Sequence, residues 1–194
     1  MSLLRAFIAL EIPTKVQNDI HQATSKLRSE TGSLIRWVPA ENLHLTLKFL
    51  GDISPAHVEF LTQMIRAETD SHRCFDLHLT GLGSFPSPKR PRVIYIGIQA
   101  PAELSALQHA VESGAHRLGY RPEDRSFSPH LTLGRVKHAS HITASDQQKI
   151  RHALEQVKID SLGTARVDSV HLYKSDLKPT GSVYTKLFSA PLKN

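Results

Sequence analysis

The feature that most limits how this chain can fold is that one pattern is written in it twice. Leu3 to Leu10 reads as a buried strand, and Val16, Ile20, Ala23 and Leu27 then recur at helical spacing. Leu43, Leu45, Leu47 and Phe49 alternate with His44, Thr46, Lys48 and Leu50, a strand with two distinct faces. A second helix follows with Val58, Leu61 and Ile65 inward and Ser54-Pro55 at its expected start, and Phe75 to Leu82 closes the unit as a strand. The order then returns as strand Val93 to Ile98, a helix with Leu104, Leu107, Val111 and Leu118, and a strand at His130 to Leu133. A helix capped by Thr143, with Ile150, Leu154 and Val157 inward, and a strand at Ala165 to Tyr173 complete the second copy. Phe7 matches Tyr95 and Pro13 matches Pro101 at an offset of 88, while His44 matches His130 at 86. A turn-rich stretch from Asp176 to Gly181 leads to a last strand at Val183 to Ser189.

A β-α-β-α-β unit repeated once predicts an α+β fold of two pseudo-symmetric lobes, with antiparallel sheets flanking a central cleft and helices on the outer faces. Two copies are too few for a solenoid. The expected organisation is one domain over residues 1–194, with the repeat at roughly 3–82 and 93–173 and a final strand at 183–189. The Pro-rich Phe85 to Pro91 segment is its seam. A chain of 194 residues that is 40% hydrophobic can bury the core this requires.

Charge and cysteine usage narrow the function classes. Lys and Arg number 24 against 18 Asp and Glu, which favours an anionic partner without identifying it. Cys74 stands alone, so an internal disulfide framework and a paired-thiolate zinc site are excluded. The apolar run from Ala6 to Leu10 stops at Glu11 and Pro13, too short for a signal core or a membrane span. A cytoplasmic location with no membrane association is expected. No Asp-x-His or His-x-x-x-His cluster with paired carboxylates appears, so neither a metal nor another cofactor is expected.

The chemistry-bearing residues sit at equivalent places in the repeat. Residues i and i+2 of a strand share a face, so His44 and Thr46 point one way, as do His130 and Thr132. Brought together, they surround one small anion with two titratable bases and two neutral donors. In-line displacement at a phosphodiester needs that set: one imidazole takes a proton from the attacking water, the other protonates the departing oxygen, and the hydroxyls hold the non-bridging oxygens. Nothing local separates the two histidine roles. A third triplet, His78-Leu79-Thr80, aligns with His171-Leu172-Tyr173 at an offset of 93 and has no symmetric partner, so His78 is read as an ordinary strand residue.

These segments carry a resemblance. Arg5 to Leu10, Trp37-Val38-Pro39 with Asn42 to Gly51, Phe85-Pro86 with Arg92 to Tyr95, Phe127 to Arg135, and Ser175 to Gly181 with Tyr184 are similar to the motifs of the RNA 2′,3′-cyclic phosphodiesterase (2′-5′ RNA ligase) family of the two-histidine phosphoesterase superfamily. Tyr95 stands where that family commonly has tryptophan. The resemblance spans nearly the whole chain. It implies metal-free opening of RNA 2′,3′-cyclic phosphate ends, or of cyclic nucleotides, to 2′-phosphates, and a reverse reaction joining an RNA 5′-hydroxyl in a 2′-5′ linkage. It also implies His44 as proton donor, His130 as proton acceptor, and Thr46 and Thr132 as phosphate ligands. A nucleotide-binding module that keeps the cleft without chemistry is the alternative from another class, but binding alone does not need paired proton carriers.

Further candidates surround this centre. Arg135 would clamp phosphate, although strict alternation turns it away from His130 unless Gly134 hosts a bulge. Phe85 is a candidate for stacking on a base. Lys48, on the face of His44 by alternation, and Arg92, with Lys89 and Arg90, are candidates for contacting an RNA backbone. Trp37 and Tyr184 read as core or cleft-wall residues.

Overall fold

In the computed structural model, which describes residues 2–137, 142–178 and 181–194, the repeat becomes two antiparallel sheets. The strands are β1 (Leu4–Glu11), β2 (Ile35–Trp37), β3 (His44–Ile53), β4 (Phe75–Phe85), β5 (Val93–Gln99), β6 (His130–Val136), β7 (Thr164–Val167), β8 (Ser169–Lys178) and β9 (Gly181–Pro191). The helices are α1 (Thr14–Ala23), α2 (Ser25–Thr31), α3 (His57–Thr69), α4 (Ala102–Arg117) and α5 (Ala144–Gln156). One sheet has the order β3-β1-β8-β9 and the other β2-β6-β5-β4-β7. Each lobe thus takes its opening and histidine-bearing strands from one repeat and its closing strand from the other. β4 pairs with β5, and β8 pairs with β1.

The exchange explains two departures from the sequence reading. The stretch expected as one strand from Ala165 to Tyr173 breaks at Asp168, because β7 pairs with β4 in one sheet while β8 crosses to β1 in the other. The stretch expected as a turn from Asp176 to Gly181 is largely ladder, with Lys178 opposite Gly181 and residues 179–180 outside the described residues. Local sequence has smaller effects elsewhere. Thr24 ends α1 by turning its hydroxyl back onto the Ile20 carbonyl (2.8 Å), dividing the single helix expected there. Ser54 and Pro55 form the turn before α3, which begins at His57. Thr143 caps α5 as expected, and Asp146 completes a capping box with it.

The registers also correct the internal alignment. Phe7, Ala9 and Glu11 lie opposite Phe49, Thr46 and His44, while Val93, Tyr95 and Gly97 lie opposite Arg135, Thr132 and His130. An offset of 86 therefore relates both strand pairs, and Phe7 corresponds to Val93 rather than Tyr95. Through the closing strands Tyr173 corresponds to Phe85, an offset of 88, so His78 and His171 are not equivalent.

Both histidine strands carry a bulge at the same point. Leu47 is unpaired between Thr46 and Lys48, and Leu133 between Thr132 and Gly134. The extra residue reverses alternation, so Phe49 and Arg135 join the histidine faces while Lys48 and Gly134 turn into the core. A Cβ at Gly134 would stand 2.7 Å from Ile35 Cγ2 and 2.9 Å from the Trp37 ring, which leaves room for glycine only.

Lys48, expected to reach RNA, is instead buried at 2% exposure. Its Nζ donates to Glu112 Oε1 on α4 and to the Arg121 carbonyl, both at 2.7 Å. Glu112 Oε1 also accepts from the Glu123 amide (3.0 Å), so the pair holds the segment that leads into β6. Removing one partner of a buried pair strands the other charge. Lys48→Met is expected to cost about 3 kcal/mol, the low end for such pairs because Glu112 keeps some solvent contact, as measured by urea unfolding.

Candidate active site

β3 and β6 approach each other across the cleft, with Cα atoms within 8 Å, and His44 and His130 are near enough for their charges to interact. Each imidazole is anchored the same way. His44 Nδ1 lies 2.7 Å from the Asn42 carbonyl, and His130 Nδ1 lies 2.7 Å from the Ser128 carbonyl. A carbonyl only accepts, so each Nδ1 carries hydrogen and each Nε2 is left for proton transfer. The Asn42 amide in turn donates to the Ser182 carbonyl (3.0 Å), tying the His44 anchor to β9.

Aromatic rings fix the imidazole planes. Phe7 lies 4.8 Å from His44, and Tyr184 meets it edge-on at 5.2 Å. Tyr173 stacks on Phe7 at 5.3 Å. Around His130, Phe85 and Tyr95 stand at 5.0 and 5.4 Å and stack on each other at 4.3 Å. Burial pushes the His44 pKa below the ordinary imidazole value, and the charge of nearby His130 adds to this, while the Asn42 hydrogen bond opposes it. Thr46 and Thr132 are half-buried on the histidine faces, and neither hydroxyl has a protein partner among the described residues.

The lobes differ at the position facing each histidine. Glu11 lies opposite His44, and Gly97 lies opposite His130. A Cβ at Gly97 would come within 2.6 Å of the Thr80 hydroxyl. Glu11 is held by Tyr173, by Lys186 Nζ at 2.7 Å and by His171 Nε2 at 3.4 Å. Burial alone would raise the Glu11 carboxyl, but hydrogen bonds from Lys186 and Tyr173 and the charge of His171 bring it below its usual range. Burial and the Glu11 contact push Tyr173 well above its ordinary value. This polar cluster was missed in the sequence because its members come from β1, β8 and β9, and only pairing assembles them.

The other sequence candidates separate. Arg135 shares the His130 face through the bulge, and Phe85 lies in the same row of the sheet. Arg92, expected along the RNA, turns to the helix side, because Val93 already takes the Arg135 face. There it lines a cavity of about 420 Å³ with Arg90, Lys137, Ile142 and Ile150. Trp37 packs into the core with the Arg28 guanidinium 4.6 Å above its ring. His78 is exposed on β4, opposite Gln99. Among the described residues, no group of three His, Cys, Asp or Glu side chains is arranged to hold a metal. No described helix is long and apolar enough to cross a membrane.

Two antiparallel sheets whose histidine-bearing strands approach each other place this chain in a class of two-lobed α+β proteins. Residues 12–179 match the family described as the 2′-5′ RNA ligase superfamily, and the chain belongs to it. The RNA 2′,3′-cyclic phosphodiesterase of Methanothermobacter thermautotrophicus is 30% identical over 184 residues, covering 95% of this chain and 96% of its own. That of Archaeoglobus fulgidus is 29% identical over 184 residues, covering 95% and 98%. The crystal structure of E. coli LigT complexed with 3′-AMP superposes with a TM-score of 0.77 at 28% identity, covering 99% of both chains.

Proposed function

We propose that this protein hydrolyses RNA 2′,3′-cyclic phosphate ends to 2′-phosphates by metal-independent acid/base catalysis with His44 and His130. The observation that carries the reading is the matched pair of imidazoles, each anchored through Nδ1 to the carbonyl two residues upstream and each accompanied by a threonine on the same face. His130 Nε2 accepts a proton from water as its oxygen attacks phosphorus. His44, protonated, gives its proton to the departing 3′ oxygen, the P–O3′ bond breaks and the phosphate stays on the 2′ oxygen. Thr46, Thr132 and Arg135 donate to the non-bridging oxygens, where charge builds. When an RNA 5′-hydroxyl takes the place of water as the nucleophile, His130 accepts its proton, the P–O3′ bond breaks with a proton from His44, and the new P–O5′ bond leaves a 2′-5′ linkage. Both proton transfers fall to imidazoles, so the reading asks for no metal-bound hydroxide.

An oligoribonucleotide ending in a 2′,3′-cyclic phosphate, incubated with the protein in excess EDTA, is expected to be converted fully to the 2′-phosphate. Exclusive formation of the 3′-phosphate would reject the regiochemistry, and loss of turnover on chelation would reject the metal-free mechanism.

A further inference from the structure

β2 is a three-residue edge strand, and its pairing places Arg36 directly opposite Arg135. Opposed residues of an antiparallel pair share a face, so both guanidiniums stand on the side of the sheet that carries His130 and Thr132. Both are exposed, and among the described residues neither has an acidic partner. Like charges set directly opposite destabilise a sheet unless something anionic lies between them. Two arginine forks side by side match the oxygens of a phosphodiester.

The position sets the distance from the reacting centre. Thr132 and Arg135 are two ladder steps apart because the bulge absorbs Leu133, or about 7 Å. Arg36 lies one strand further out, about 4.8 Å to the side. That is the span of one nucleotide. Among the described residues the other lobe has no counterpart of β2 and carries the exposed Phe49 where Arg135 stands.

We propose that Arg36 forms a second phosphate subsite that takes the phosphodiester one nucleotide inward from the reacting end, with Arg135 standing between it and the reacting phosphate. The subsite rests on the cyclic phosphodiesterase reading for its orientation and makes a chain end, rather than a free cyclic nucleotide, the better ligand.

Binding of the 2′-phosphorylated products tests this without turnover. A dinucleotide and a mononucleotide, each with a terminal 2′-phosphate and a fluorescent base, are titrated by anisotropy at several salt concentrations. Wild type is expected to bind the dinucleotide at least tenfold more tightly. Arg36→Gln should remove most of that ratio and lower the dinucleotide salt slope by about one. Arg36→Lys, which keeps the charge, should retain the slope but recover only part of the ratio. A ratio unaltered by Arg36→Gln, as for an arginine that merely guards a sheet edge, would overturn the subsite, and so would equal weakening of both ligands. Failure of wild type to hydrolyse a cyclic end, with these binding ratios intact, would instead reject the catalytic reading and leave the subsite standing.

Discussion

Replacing either His44 or His130 by alanine is expected to lower kcat/KM on a 2′,3′-cyclic phosphate end by roughly 10²- to 10⁴-fold, the contribution of one positioned general acid or base. The double variant should fall little below the worse single one, because the two histidines act on the same transition state and their effects do not add. Stability should change little, since each imidazole sits on the cleft face with its Nε2 open rather than in the main core. His78→Ala, exposed on β4, should keep wild-type kcat/KM. Steady-state kinetics on folded variants, checked by far-UV circular dichroism, decide the matter. A folded His78→Ala protein with a hundredfold defect, or a His44→Ala protein within a fewfold of wild type, would reject the choice of pair.

The proposed pair could be picked out of the sequence because it needs only one short-range fact and one long-range one: alternation along a strand, and recurrence of His-Leu-Thr-Leu at equivalent places in the repeat. The helices were legible for the same kind of reason, since their apolar faces recur within a few turns and Thr143-Asp146 carries its own cap. What stayed hidden depends on partners. A bulge exists only in relation to a facing strand, so alternation alone put Lys48 in the cleft and left Arg135 undecided. The closing strands read as members of their own halves, because a strand's pattern records which face is buried and not which sheet receives it. β2, at three residues, is too short to show periodicity, and with it went Arg36. The carbonyls of Asn42 and Ser128 that orient the histidines are backbone atoms and leave no mark in side-chain identity.

The division of labour between the histidines is where geometry and resemblance pull apart. The resemblance implies that His44 is the acid, yet burial and the neighbouring His130 charge lower its pKa, which favours its neutral form in the ligand-free protein. An anionic cyclic phosphate entering the cleft favours the protonated form again. The acid role for His44 therefore requires substrate to shift its protonation, and the kcat/KM profile should be a bell whose acidic limb lies below about 6.5, the ordinary imidazole value. Leaving groups separate the roles independently of that profile. A phosphodiester that expels a nitrophenolate hardly needs protonation of the departing oxygen, whereas attack by water needs the base as before. With His44 as acid, His44→Ala should recover at least tenfold of its deficit on the activated ester, while His130→Ala should stay near its full deficit on both substrates. Recovery in His130→Ala alone would exchange the two roles and would accord with the lowered His44 pKa. Recovery in neither would mean that proton transfer to the leaving group does not limit the reaction.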